Sequence, residues 1–319
     1  MTVGTGEQEP LDKSNTSPAD KCGELGKVGI WTTALDRQPA ETARSELRAL
    51  EALGYGTVWV GEARRREAFT NASLLLSASS RITVATGIAN IWARDAQAMR
   101  AGQLALAEAY PGRFVLGIGV SHAPMVAVRG HHYDRPVATM RAYLDAMGAA
   151  VYESPAPARP PRLLLAALGP AMLALAAERT DGAHPYFAPV EHTRWARQIV
   201  GRDRLLCPEQ AVVLDSDPVK ARAIARQHTT GYLKLANYRN NLIRHGFSSH
   251  ELDGGGSDRL VDAVVAWGDV SNVVARIQAQ LSAGADHVAV QVLTADPAAV
   301  PHTEWVDLAA ELSRHGLLT

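Results

Sequence analysis

From Lys27 onward, short apolar runs alternate with stretches in which apolar residues recur every three or four positions. The first kind predicts buried strands, the second amphipathic helices. KVGIW (27–31) reads as a strand. Pro39 then opens PAETARSELRALEALGYG, a helical pattern closed by Gly54 and Gly56. TVWVGE (57–62) is a second strand, a helix over about 68–79 follows, and RITVATGI (81–88) is a third strand. ARDAQAMRAGQLALAEAY (93–110) predicts a helix stopped by Pro111-Gly112. RFVLGIG (113–119) is a fourth strand and DRPVATMRAYLDAMGAAVY (134–152) a fourth helix.

The Pro-rich ESPAPARPP (153–161) interrupts this rhythm without ending it. RLLLAALGPAMLALAAERT (162–180), DGAHPYF (181–187), a helix over 190–200 and RLLCPEQAVVL (204–214) continue it. A mostly helical stretch over 217–267 reads as an insertion. DVSNVVARIQAQLSAGADHVAVQVL (269–293) supplies one more helix and strand, and a helix over 303–315 closes the chain. Strands alternating with helices predict parallel pairing and right-handed crossovers. Eight such units predict an α/β fold of the (β/α)8 TIM-barrel type, with a helical insertion after strand seven. No GxGxxG follows the first strand, which argues against a doubly wound dinucleotide fold. One domain is expected over 27–319, after a disordered leader over 1–26 that lacks the apolar stretch of a secretory signal.

Composition narrows the function classes. The chain has 319 residues, 47% of them hydrophobic, enough for a large core. A net charge of −1 offers no global field for nucleic acid or an anionic membrane. No apolar run approaches the roughly 20 residues of a membrane helix. There are two cysteines, and Cys22 falls in the leader, which argues against a framework disulfide with Cys207 and for a reducing cytoplasm. The eleven histidines are scattered, and no Cys/His cluster has zinc spacing.

Barrel enzymes gather their chemistry at the carboxyl ends of the strands. Those ends are Trp31-Thr32, Gly61-Glu62, Gly87-Ile88-Ala89-Asn90, Gly119-Val120-Ser121-His122, Leu168-Gly169-Pro170, His184-Pro185-Tyr186, Glu209-Gln210 and Gln291. In ALGPAM, Pro170 sits at a first helical turn where its missing N–H is no loss. The neighbouring free N–H groups suit a phosphate, though an ordinary βα turn looks the same. Gly117 and Gly119 remove side chains where something flat could lie against the backbone. His122 could act beside it as an acid or base, or be a plain loop histidine. Glu62 could be catalytic or could cap the next helix. Arg64–Arg66 could grip a polyanionic tail or form a solvated face. Trp31 could stack on an aromatic ligand.

VWVGEA, ATGIANIWARDAQAMRAGQLALAEAYPGRFVLGIGVSHAPM, LAALGPAMLALAAERTDGAHPYFAPVEHT and GADHVAVQVLTADP together resemble the luciferase-like monooxygenase superfamily. The branch they resemble uses the deazaflavin coenzyme F420 (8-hydroxy-5-deazaflavin), and the resemblance covers 27–315. It implies a cofactor lying across the strand ends of a TIM barrel. It implies a non-prolyl cis peptide at Gly87-Ile88 behind the ring, continued by Ala89 and Asn90. Gly119, Val120 and Ser121 would contact the ring, and Leu168, Gly169, Pro170 and Met172 the phosphate. Tyr186 falls where a phosphate or substrate contact lies, and Trp31 and His184 complete the cofactor-binding set. His122 falls where relatives handle a substrate proton, with Glu62 assisting. Relatives that oxidise alcohols carry a histidine after the carboxylate at the end of strand two; here Ala63 follows Glu62. Their ring-contacting tryptophan is replaced by Arg64–Arg66 and Glu67. Both departures weigh against simple alcohol dehydrogenation.

The expectation is hydride transfer between the deazaflavin and a small-molecule substrate, by a cytoplasmic homodimer with no nucleic-acid or membrane partner. An FMN-dependent monooxygenase would use the same phosphate seat, and a non-catalytic deazaflavin- or flavin-binding barrel is a further alternative. No lysine lies at a strand end, which disfavours Schiff-base chemistry.

Overall fold

Eight parallel staves build the sheet of this computed structural model, which describes residues 25–318. They are β1 (Val28–Trp31), β2 (Thr57–Val60), β3 (Thr83–Thr86), β4 (Phe114–Gly119), β5 (Arg162–Leu165), β6 (Gly182–Ala183), β7 (Leu205–Leu206, continued by Glu209–Val213) and β8 (Val288–Val292). Each pairs with its sequence neighbour, and β8 returns to β1 with Ile30 opposite Val290. β7 closes the ring. The Cys207 N–H donates to Ala183 O on one side, and the Ala289 N–H donates to Pro208 O on the other. The expected barrel is therefore the observed fold. The leader expected over 1–26, with Cys22, lies outside the described residues as far as residue 24; Leu25 is fully buried.

Alternation along the staves creates two cores. Val28, Ile30, Val58, Val60, Val84, Leu116 and Ile118 face the helices. Trp31, Trp59, Ala85, Val115, Leu164, Cys207 and Ala289 fill the lumen. A small barrel has a fixed interior volume, so its large residues need small neighbours. Lumen-facing Gly29 meets this need: a Cβ there would lie 2.9 Å from the His287 ring.

Helices α1 (Ala40–Ala52), α2 (Ala68–Leu76) and α3 (Ala96–Ala109) follow β1 to β3. A short α4 (Ala123–Ala127) and then α5 (Pro136–Gly148) follow β4, α6 (Pro170–Arg179) follows β5, and α7 (Val190–Val200) follows β6. Side-chain caps mark several starts: Glu67 accepts from Thr70 N and Asp95 from Ala98 N. Between β7 and β8 come α8 (Pro218–Tyr232), α9 (Ala236–Arg244), α10 (Asp258–Val264) and α11 (Val270–Ser282), and α12 (His302–Arg314) follows β8.

Two elements differ from the sequence expectation. α4 was not foreseen, and Val265–Trp267, expected within a helical stretch, is a strand parallel to β7. Its reason lies across the sheet. β6 is only two residues long, so it covers only the start of β7 and leaves the edge of Ala211–Val213 open. Val265–Trp267 pairs with that edge. Phe187, Tyr238, Leu242, Phe247, Leu260 and Val261 form a separate core under α8 to α10, above the carboxyl ends of the staves. No helix among the described residues is long and apolar enough to cross a membrane.

Candidate active site

The ends of β3, β4, β5 and β6 are adjacent in the barrel, so four of the sequence-predicted segments converge on one rim. At the end of β3 the Gly87-Ile88 peptide is cis, as the resemblance implied. Both residues remain partly exposed. Trp31 Nε1 donates to Gly87 O at 3.0 Å, which ties the end of β1 to this bulge. Beyond it, Ala89 and Asn90 pair with Ile118 and Gly119 of β4. Asn90 is buried, and its Oδ1 accepts from Trp92 N.

Gly117 and Gly119 serve a different purpose from the one expected. A Cβ on Gly117 would lie 2.1 Å from Thr86 O, and one on Gly119 would lie 2.9 Å from Ile88 Cγ1. Thr86 Oγ1 donates to Gly117 O and accepts from Gly117 N. The missing side chains are therefore required by packing, against Thr86 O at Gly117 and against the Ile88 and Ala166 side chains at Gly119.

Glu62 also differs from the expected assistant in proton transfer. Its carboxylate accepts from Asn90 N at 2.8 Å, from Ala68 N at 3.2 Å and from both terminal nitrogens of Arg94. Its side chain is 4% exposed. Four donors fill the acceptor positions of a carboxylate, so Glu62 fixes the start of α2 to the segment after the cis bond.

At the end of β4, Val120 O accepts from Trp92 Nε1 at 2.9 Å, and Ser121 takes a left-handed backbone with φ 58°. This turn delivers His122 to the start of α4. The His122 ring lies 5.3 Å from the Tyr238 ring and hydrogen-bonds the Asn237 side chain, both on α9. Burial lowers its pKa from 6.5, so the imidazole is neutral at pH 7. At the end of neighbouring β5, Leu168 O accepts from His192 Nε2 and Gly169 caps α6. A Cβ on Gly169 would meet nothing within 4 Å, so the N-terminus of α6 is open. Met172 differs: it is buried in the core beneath.

The end of β6 supplies the hub. Tyr186 OH donates to Gln291 Oε1 at 2.7 Å, so the 2.9 Å bond from Tyr232 must run from Tyr232 OH to Tyr186 OH. The Tyr186 ring lies 5.2 Å from Trp31 and 6.4 Å from Tyr238. Tyr186 therefore links the bulge, through Trp31, to His122, through Tyr238. His184 lies deeper, stacked at 4.3 Å on Trp59. Its Nδ1–H donates to Cys207 O, which leaves a buried Nε2 without a partner. Burial lowers its pKa to about 4. Glu209 is 2% exposed; one oxygen accepts from Phe187 N and the other has no partner. Burial pushes its pKa up to about 8.

Sequence reasoning missed Tyr232, Asn237 and Tyr238. No strand-end rule reaches them, because they sit on helices of the stretch between β7 and β8. A pocket of about 440 Å³ opens beside the hub, between the ends of β1 and β8 and beneath α8. Trp31, Tyr232 and Gln291 line it, with Arg37 and Arg65. No group of three or more His, Cys, Asp or Glu that could hold a metal occurs among the described residues.

Residues 25–287 match the family model for luciferase-like monooxygenases. The chain belongs to this family. A relative from Mycobacterium tuberculosis (strain ATCC 25618 / H37Rv), provisionally named a coenzyme F420-dependent oxidoreductase, is 25% identical over 230 residues. The match covers 70% of this chain and 60% of the relative. Among solved structures, an F420-dependent secondary alcohol dehydrogenase in complex with an F420-acetone adduct superimposes with a TM-score of 0.71 at 14% identity, covering 90% of this chain and 97% of that one. The oxygenating constituent of 3,6-diketocamphane monooxygenase from Pseudomonas putida, in complex with FMN, superimposes with a TM-score of 0.63 at 14% identity, covering 92% and 98%. At these identities the luciferase-like fold is what is shared.

Proposed function

We propose that this luciferase-like protein is a coenzyme F420-dependent oxidoreductase that transfers hydride between the deazaflavin and a small organic substrate. The observation that carries the reading is the similarity over 230 residues to the relative named for F420 dependence. The rim fits a long molecule with a planar head and a phosphate. Ile88 and Val120 are partly exposed at the ends of adjacent staves, and the open start of α6 follows on the next. Gly169, Ala171 and Met172 would take the phosphate through backbone N–H groups and the helix dipole. Trp31 holds the bulge in place through Gly87 O. When bound, the deazaflavin supplies two-electron hydride chemistry. His122, neutral at pH 7, can accept a substrate proton in the oxidising direction, and Asn237 orients its ring. Glu62 has no free lone pair and supports the site by holding Asn90.

The reading is tested by titrating the purified protein with F420, FMN and FAD while following ligand fluorescence. F420 is expected to bind at least tenfold more tightly than either flavin. Binding of FMN without F420 would favour the alternative monooxygenase reading, which the FMN-containing relative of the same fold keeps in view. The homodimer expected from the resemblance is checked by light scattering of the same preparation.

A further inference from the structure

The pocket beside Tyr186 has a charge pattern that the coenzyme reading leaves unused. Its apolar wall is made by Trp31 and Tyr232, with Ile224, Leu235 and Leu293, beside neutral polar residues such as Gln227 and Gln291. Two arginines, Arg37 and Arg65, stand among its lining residues, and no aspartate or glutamate does. Neither arginine makes an ion pair within 4 Å among the described residues, although Arg44, Arg48 and Arg94 nearby all do. Arg66 differs too, because it spends its guanidinium on Leu35 O and Gln38 O. Asp36, the carboxylate whose charge acts on Arg65, accepts from Asn71 Nδ2 at 2.6 Å and does not line the pocket. Burial and then repulsion from Arg37 lower the Arg65 pKa, against the opposing charge of Asp36. Two cations close together at the mouth of a pocket, neither committed to an ion pair, are available to an anion that enters between them. Arginine's planar fork matches a carboxylate in a bidentate way.

We propose that this pocket binds the organic substrate through a carboxylate held by Arg37 and Arg65, with the apolar body of the molecule against Trp31 and Tyr232. As a statement about substrate, this rests on the oxidoreductase reading; as a statement about binding, it stands on the pocket alone. The volume of about 440 Å³ accommodates a body the size of a phenylalkyl chain. A carboxylate could also come from an acidic tail of the coenzyme, and the test separates the two sources.

The coenzyme-free protein is titrated with 4-phenylbutyrate and with its neutral amide, 4-phenylbutanamide, by calorimetry and tryptophan fluorescence. The acid is expected to bind at least tenfold more tightly than the amide. Arg65→Gln and Arg37→Gln should each remove most of that preference while leaving amide binding unchanged. Both side chains are exposed, so the variants are expected to fold. Equal affinity for acid and amide, or no binding of either, overturns the proposal. F420 preparations with short and long acidic tails are titrated in parallel. If Arg65→Gln weakens F420 according to tail length and leaves the acid preference intact, the arginines serve the coenzyme and the proposal fails. If F420 does not bind at all while the acid preference and its loss in both variants persist, the pocket proposal holds and the F420 reading falls.

Discussion

At the scale of single residues, His122 and Glu62 divide roles that their strand-end positions make look alike. His122 is partly buried, neutral and placed at the rim, so it can exchange a proton. Its replacement by Asn should leave F420 affinity unchanged and lower turnover by at least tenfold, as single-turnover kinetics would show. A general base must be unprotonated, and burial moves this one below 6.5, so the acid limb of the rate profile should fall below pH 6.5. Glu62 is instead one half of a buried pair in which Arg94 is 9% exposed. Arg94→Met leaves an uncompensated buried carboxylate and should cost about 3–5 kcal/mol, read from urea midpoints. Glu62→Gln should lose stability but keep turnover per folded molecule; a collapse of turnover in a stably folded variant would return Glu62 to the mechanism. The sequence exposed both residues as strand-end candidates. It could not reveal that Glu62 is consumed, because Arg94 lies 32 positions away.

At the scale of elements, the alternation of apolar runs and helical patterns was enough to order all eight staves. Periodicity reports burial, and a parallel sheet is buried on both faces. The helical stretch before Val265–Trp267 hid a strand, because three apolar residues carry no period and only the open edge of β7 decides their state. The glycines of GIGVSH were visible, but what crowded them was not: Thr86 O and Ile88 come from β3. Gly117→Ala should therefore destabilise the barrel by about 1–3 kcal/mol, since a backbone oxygen at 2.1 Å must move. Gly169→Ala, with φ −82° and nothing within 4 Å, should stay within about 0.5 kcal/mol of the parent. Thermal melts of the two variants side by side separate a packing glycine from an open one.

At the scale of the whole molecule, buried titratable groups make stability depend on pH in two opposite ways. His184, His192 and His287 are at most 1% exposed, and burial lowers each pKa from 6.5 to about 4. His287 is locked neutral by its bonds: Nδ1–H donates to Gly26 O, and Nε2 accepts from Trp59 Nε1. Between pH 6.5 and 4 the unfolded chain binds these protons and the native barrel does not. Stability must fall as pH falls through that window, by up to about 3 kcal/mol per histidine. Glu209 has the reverse sign. Its pKa is raised from 4.5 to about 8, so the native state keeps a proton that the unfolded chain loses, and stability falls as pH rises from 4.5 towards 8. Below pH 6.5 these histidines, joined by His228 with its pKa lowered to about 4, outweigh Glu209 and Asp36, the latter raised by burial to about 6; above pH 6.5 Glu209 dominates. Urea midpoints should therefore peak near pH 6.5, lower at both pH 5 and pH 8. Glu209→Gln should flatten the alkaline side and steepen the acid side, because Glu209 opposes the histidines below pH 6.5, whereas a parent midpoint still climbing at pH 8 would mean that Glu209 ionises freely and that water reaches the floor of the site.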